Sequence, residues 1–218
     1  MSRKDESAGL GPEKDDGCYR MKILAINGSP RRGKTTSFAL KQALDSAAEV
    51  RGDIRTELIE LGELDVRHCL GCNRCREPLV CSQDDDFIKL LPKLIDAEVA
   101  GVIIGTPVYM GTMTGLCKNF LDRAIMLRRN RFTWQDVVGG VLAVGQSRNG
   151  GQELTIQAVQ AALLVQNMVI VSDGPPFSHY GATLVSGVEG GIEMDEAGII
   201  TARNLGRRVA ELAARLRG

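Results

Sequence analysis

From Met21 onward, short apolar runs alternate with longer stretches whose apolar residues recur at helical spacing. Lys22-Ile-Leu-Ala-Ile-Asn27 is a continuous apolar run of the kind buried on both faces of a sheet. Leu40, Ala43, Leu44, Ala47 and Ala48 then mark one face of a helix, and Ile54 to Leu61 reads as a second strand. Asp84-Asp-Asp86 places negative charge where it complements the dipole at a helix N-terminus, and that helix runs to about Ile95. Val99 to Gly105 is a third strand, Leu116, Phe120, Ala124 and Leu127 a helix, and Val137 to Val144 a fourth strand. Leu154, Ala158, Ala161, Ala162 and Val165 form the next helix, followed by a fifth strand over Met168 to Val171. A Gly/Pro-rich segment from Asp173 to about Gly191, read as irregular, precedes a last helix with Leu205, Val209, Leu212 and Leu216.

Such alternation calls for a parallel sheet with helices on both faces, whose ligands bind outside the carboxyl ends of the strands. Residues 1–20 are polar and without periodicity, which predicts a disordered extension ahead of one domain spanning 21–218. The whole chain of 218 residues, 44% hydrophobic, suffices for one sizeable core. Formal charge is zero, 27 basic against 27 acidic residues, which gives no electrostatic argument for nucleic acid or an anionic membrane. No apolar run approaches the ~20 residues of a membrane helix. Met1 to Leu10 lacks the apolar segment of a secretory signal, so a cytoplasmic, reducing location is expected.

Chemistry concentrates in two places. Cys69, Cys72, Cys75 and Cys81 lie within a loop over residues 65–86, at spacings of two, two and five residues. Consecutive two-residue gaps let thiolates curl around one face of a cubane, the spacing logic of a four-cysteine [4Fe–4S] site. Structural zinc, whose usual signature is two separated C-x2–4-C pairs, remains an alternative, as do a disulfide and cysteines that hold nothing. Cys18 and Cys117 fall outside this run and read as free thiols, and His68 and His179 read as loop histidines.

The second place is Gly28-Ser-Pro-Arg-Arg-Gly-Lys-Thr-Thr36, which leaves a strand and opens a helix. Free amides and the dipole at a helix N-terminus bind phosphate, with Ser29, Thr35 and Thr36 adding hydroxyls and Arg31 and Lys34 adding charge. Gly28-x4-Gly33-Lys34-Thr35 also matches the Walker A pattern, which points to a nucleoside triphosphate. That reading needs a magnesium-binding carboxylate, and Asp173 after the fifth strand is the one plausible acid.

With these residues in hand, the chain resembles the flavodoxin-like NAD(P)H-dependent FMN reductases, and more closely their iron–sulfur flavoprotein branch. The carriers are Asn27-Gly-Ser-Pro-Arg31, the Cys69–Cys81 run followed by Gln83-Asp-Asp85, and Thr106-Pro-Val-Tyr-Met-Gly111. Lys118-Asn-Phe-Leu-Asp-Arg123 and Gly150-Gly-Gln-Glu153 complete the set. The resemblance implies a flavodoxin-like doubly wound, five-stranded parallel sheet of order 2-1-3-4-5. It places the FMN phosphate on Ser29, Arg31, Gly33, Thr35 and Thr36, with Lys34 standing where many relatives have asparagine. Pro107, Val108, Tyr109, Met110, Gly111 and Thr112 would line the isoalloxazine ring, and Ser147, Gly150, Gly151 and Gln152 would close its other side. The four cysteines would carry [4Fe–4S].

The expected activity is an FMN-dependent oxidoreductase passing electrons between NAD(P)H or ferredoxin and a small-molecule acceptor. No side chain is expected to act as a nucleophile, and a homodimer or homotetramer is expected by resemblance. A P-loop hydrolase with a zinc-bound insert, and a flavodoxin-like shuttle without its own substrate, are the rival readings.

Overall fold

The computed structural model describes residues 21–76 and 79–218. The predicted N-terminal extension and Cys18 lie outside the described residues. Strands β1 (Met21–Asn27), β2 (Ile54–Glu60), β3 (Val99–Pro107), β4 (Val138–Gly145), β5 (Val169–Ile170) and β6 (Ala182–Val185) form one sheet in the order β2-β1-β3-β4-β5. All pairings are parallel, including that of β6 with β4.

The helices are α1 (Thr35–Ala48), α2 (Asp86–Leu94), α3 (Gly115–Arg123), α4 (Ile125–Arg129), α5 (Gln152–Val165) and α6 (Glu196–Arg217). Successive residues of a strand point to opposite faces, and β1 divides accordingly. Ile23 and Ala25 pack with Leu40, Ala43, Leu205 and Val209 of α1 and α6. Leu24 and Ile26 pack with Phe87, Leu91, Phe120, Ile156 and Val159 of α2, α3 and α5. Both faces are thereby covered, which explains why β1, β3 and β4 read as unbroken apolar runs.

Two expectations change in detail. The single helix expected over Leu116 to Leu127 is interrupted at Ala124, whose carbonyl accepts from Gln166 Nε2 at 3.0 Å. The segment read as irregular from Asp173 to Gly191 contains a strand. β5 pairs with Val138 and Gly139, and β6 pairs with Leu142 to Gly145, so the fifth lane of the sheet is built from two pieces. Residues 171–181 leave the lane and return. Ala182 and Leu184 point into the core while Thr183 and Val185 are half-buried, an alternation too short between glycines to show in the sequence.

Among the described residues, no helix is long and apolar enough to cross a membrane.

Candidate functional site

The loops leaving β1, β3 and β4 meet at the carboxyl edge of the sheet. The first begins at Asn27, fully buried at the end of β1. Its Nδ2 donates to Glu60 Oε2 at 2.7 Å and Ser37 Oγ at 2.9 Å, while its Oδ1 accepts from the Ser29 amide at 2.9 Å. One amide thus ties the loop to β2 and α1. Ser29 Oγ accepts from the Arg31 amide at 3.1 Å, and Gly33, at φ +64°, turns the chain toward α1. No side chain caps α1, and its first turn holds no acid. Thr36 is buried, and its Oγ1 has no partner among the described residues. Buried hydroxyls are nearly always hydrogen-bonded, so an orphan beside an uncapped helix N-terminus fits an incoming anion. Thr35 is half-buried beside it, with Arg31 and Lys34 exposed. Arg32 instead ion-pairs with Glu63, in the 3₁₀ turn after β2.

The second loop follows β3, which ends at Pro107. The Val108 amide donates to the Val144 carbonyl at 2.9 Å. Tyr109 and Thr112 exchange backbone bonds of 2.8 and 3.1 Å across a two-residue turn. Met110 (φ +48°) and Gly111 (φ +80°) are both left-handed, the signature of a type I′ turn. Met110 is fully exposed at the tip and Tyr109 is partly exposed, so apolar surface stands open beside the phosphate loop. Thr114 joins the two loops, donating from Oγ1 to the Gly28 carbonyl at 2.5 Å and accepting from the Cys117 amide at 3.0 Å. A Cβ at Gly28 would lie 2.5 Å from that of Cys117, so only glycine permits this approach. Burial pushes the Cys117 thiol up to about 12, against a smaller opposing bond from Thr106.

The third loop is braced by Gln152, which is itself buried. Its Oε1 accepts from the Gly150 amide at 2.8 Å, and its Nε2 donates to the Ser147 carbonyl at 2.8 Å. Gly151, at φ +97°, precedes α5, and a Cβ there would sit 3.3 Å from Val108 and 3.5 Å from Gly111. The structure therefore gathers residues 28–36, 107–112 and 147–152 around one edge.

The cysteine loop runs from β2 to α2. Cys69, Cys72, Cys75 and Cys81 are all free thiols and all line one cavity of ≈ 430 Å³. Leu70, Arg74, Asp122, Arg123, Met126 and Arg129 also border it, whereas no residue of the three strand-end loops does. Three of the four sulfurs have hydrogen-bond partners. Arg129 Nη1 donates to Cys75 Sγ at 3.0 Å, Arg123 Nη2 to Cys81 Sγ at 3.4 Å, and the Gln83 amide to Cys81 Sγ at 3.4 Å. Cys72 Sγ lies 3.1 Å from Ser82 Oγ, and that bond, helped by the Arg74 amide, holds its thiol below the usual range. Among the described residues, no three His, Cys, Asp or Glu side chains converge as a single metal ion requires. Four cysteine thiols on one cavity are the donor set that either an iron–sulfur group or zinc takes.

A buried ion pair holds this loop. Arg123 Nη1 and Nη2 donate to Asp85 Oδ2 and Oδ1 at 2.6 and 2.9 Å, and Nη1 also donates to the Arg67 carbonyl at 3.1 Å. Asn119 Nδ2 donates to the Val66 carbonyl at 3.1 Å. The acidic run stands at the start of α2 as expected, with Asp85 at the N-cap position and Asp86 in the first turn, and it serves the loop as well. Asp85 faces Arg123 and accepts from the Arg67 amide at 3.2 Å, and Asp86 accepts from the Asp65 amide at 2.8 Å. Burial pushes the Asp85 carboxyl up, but the Arg123 bonds and the Arg67 amide outweigh it and hold it below the ordinary value.

Asp85, Arg123 and Arg129 were not among the residues singled out by chemistry. One signal was present: Arg123 shares the apolar helix face of Leu116, Phe120 and Leu127, and a charge there demands a buried partner. Asp173, the acid that the triphosphate reading needs, is buried and bonded to His179 through the backbone amide (2.5 Å) and Nδ1 (3.3 Å). His68 is exposed, and its carbonyl accepts from Gln83 Nε2 at 2.9 Å.

Comparison with known proteins agrees with this geometry. The family model described as NADPH-dependent FMN reductase matches residues 21–182. An iron-sulfur flavoprotein of Methanocaldococcus jannaschii is 42% identical over 88% of this chain and 97% of its own. Another, from Methanosarcina thermophila, is 38% identical over 74% of this chain and 81% of its own. Among solved structures, a WrbA-like flavodoxin from Agrobacterium tumefaciens aligns with TM-score 0.62 at 21% identity, over 89% of this chain and 98% of that one. A flavone reductase aligns with TM-score 0.68 at 22% identity over 90% of this chain, which spans 64% of that longer one. These structural likenesses carry the fold alone.

Proposed function

The chain belongs to the NADPH-dependent FMN reductase family, and from that premise we propose that this FMN-dependent oxidoreductase is an iron–sulfur flavoprotein. The observation that carries the proposal is the set of four free thiols lining one cavity, two of them met by N–H donors, apart from a loop cluster with an orphaned hydroxyl at a helix N-terminus.

Ser29, Thr35, Thr36 and the first-turn amides of α1 hold the FMN phosphate, with Arg31 and Lys34 adding charge at the mouth. Residues 107–112 and 147–152 enclose the ring. The two left-handed residues of the 109–112 turn fix the height of that wall, and Gln152 keeps the opposite loop closed. Cys69, Cys72, Cys75 and Cys81 hold a [4Fe–4S] cluster. Flavin supplies two-electron chemistry and a cluster one-electron chemistry, so together they connect donors and acceptors of different electron number.

A nicotinamide donor follows from the family, and reduced ferredoxin is the one-electron counterpart at the cysteine face. The acceptor is a small molecule, the location cytoplasmic, and the assembly a homo-oligomer. The three loops exclude water and orient the ring, while the cysteine loop sets the environment of the sulfurs; no nucleophilic side chain takes part.

The test is iron content after anaerobic reconstitution. Cys72→Ser and Cys75→Ser should each lose most of the iron while keeping FMN, and wild-type iron in both would remove the ligand assignment.

A further inference from the structure

Three arginines border the cysteine cavity, Arg74, Arg123 and Arg129, against one carboxylate, Asp122, which is bound to Lys118 at 2.5 Å. Of these, two reach sulfur, and they differ in one respect. Arg123 is buried and neutralised by Asp85. Arg129 donates to Cys75 Sγ at 3.0 Å and to the Asn73 side-chain carbonyl at 2.8 Å, and among the described residues it makes no ion pair with any carboxylate. Asn73 is held at φ +63°, placing that carbonyl on the second arm of the same guanidinium. The fork is therefore fixed on one sulfur and one neutral oxygen, with no carboxylate among the described residues to offset its charge.

We propose that Arg129 is a positioning residue that sets the reduction potential of the iron–sulfur group through this uncompensated charge. The inference rests on the cluster reading above. Four thiolate ligands make such a group anionic, and adding one electron makes it more so, so a fixed cation at one sulfur favours the reduced state. The step concerned is a one-electron addition in which no bond forms or breaks, the electron coming in the assay from a mediator-equilibrated low-potential reductant. Hydrogen bonds to the sulfurs act in the same direction, and charge can be separated from hydrogen bonding by substitution. Arg123 also reaches Cys81, but its charge is offset at once by the Asp85 carboxylate.

The experiment is a mediated redox titration of the reconstituted holoprotein, followed by electron paramagnetic resonance, with iron and sulfide counted for every sample. Arg129→Gln keeps a donor and removes the charge; it should load wild-type iron and shift the reduction equilibrium about tenfold toward the oxidised form, ~59 mV downward for a one-electron couple. Arg129→Lys keeps the charge and should restore most of that shift. A wild-type potential in fully loaded Arg129→Gln overturns the proposal, as does an equal fall in Arg129→Lys, which would assign the effect to hydrogen-bond geometry. Loss of iron from both variants with unchanged melting would make Arg129 an assembly residue and overturn the tuning role. Absence of iron from the wild-type protein overturns the cluster reading itself, a result distinct from the others.

Discussion

Asp85→Ala should loosen the cysteine loop and lower the stability of the whole chain. The Asp85 carboxylate is fully enclosed, and the Arg123 side chain facing it is 1% exposed. Two bonds of 2.6 and 2.9 Å join them, and the Arg67 amide supplies a third at 3.2 Å. Removing one partner of a buried pair leaves an uncompensated charge and costs ~3–5 kcal/mol. In a chain of 218 residues, each kcal/mol moves the melting temperature by ~2–4 °C, so the expected fall is about 6–20 °C. The pH dependence has a definite sign. A carboxyl held lower in the folded state contributes stability above its unfolded pKa of ~3.9, and loses it as pH falls through the folded value. The gap between wild type and Asp85→Ala should therefore be full at neutral pH and shrink in acid below about pH 4. Thermal unfolding of the metal-free protein, scanned over pH, measures both. A variant melting within 2 °C of wild type, or a gap independent of pH, would refute the reasoning.

Thr36→Val should leave the flavin-free protein as stable or slightly more so, because the hydroxyl is orphaned, yet weaken FMN about ten- to hundredfold by removing a bond to a charged phosphate; fluorescence titration of the apoprotein reads this. Gly28→Ala forces a methyl to 2.5 Å from the Cys117 Cβ, so overpacking should cost ~1–3 kcal/mol in denaturant unfolding and lower FMN affinity as the loops part. In metal-free protein at pH 8, mass-mapped alkylation should mark Cys72 early and leave Cys117 untouched, because one thiol is acidified by Ser82 and the other is buried with its pKa near 12.

Much of the fold was legible because β1, β3 and β4 are covered on both faces, and such strands appear as unbroken apolar runs between helical stripes. The loop proposed to hold phosphate stands out in the sequence for a local reason, its glycines, hydroxyls and charges lying within nine consecutive residues, 28–36. What escaped was non-local. The partnership of Asp85 with Arg123 spans 38 positions, and no periodicity links them. Strand β6 was hidden because four residues flanked by glycine carry too little alternation to stand out. The acidic run at 84–86 stands at the helix start where local propensity places it, and what escaped is that the Asp85 and Asp86 carboxylates also accept from amides of the cysteine loop. His179 read only as a loop histidine, and its bond to Asp173, six positions earlier, was not foreseen.

The central claim is that one chain carries two redox groups on separate surfaces. The direct measurement is an anaerobic absorption spectrum of the purified protein, with flavin, iron and acid-labile sulfide quantified on the same sample. Flavin bands over a broad iron–sulfur shoulder, with about four iron per chain as a four-cysteine cubane requires, are predicted. Flavin without iron, even after anaerobic reconstitution, would contradict the claim and leave a plain FMN reductase whose cysteine cavity holds nothing.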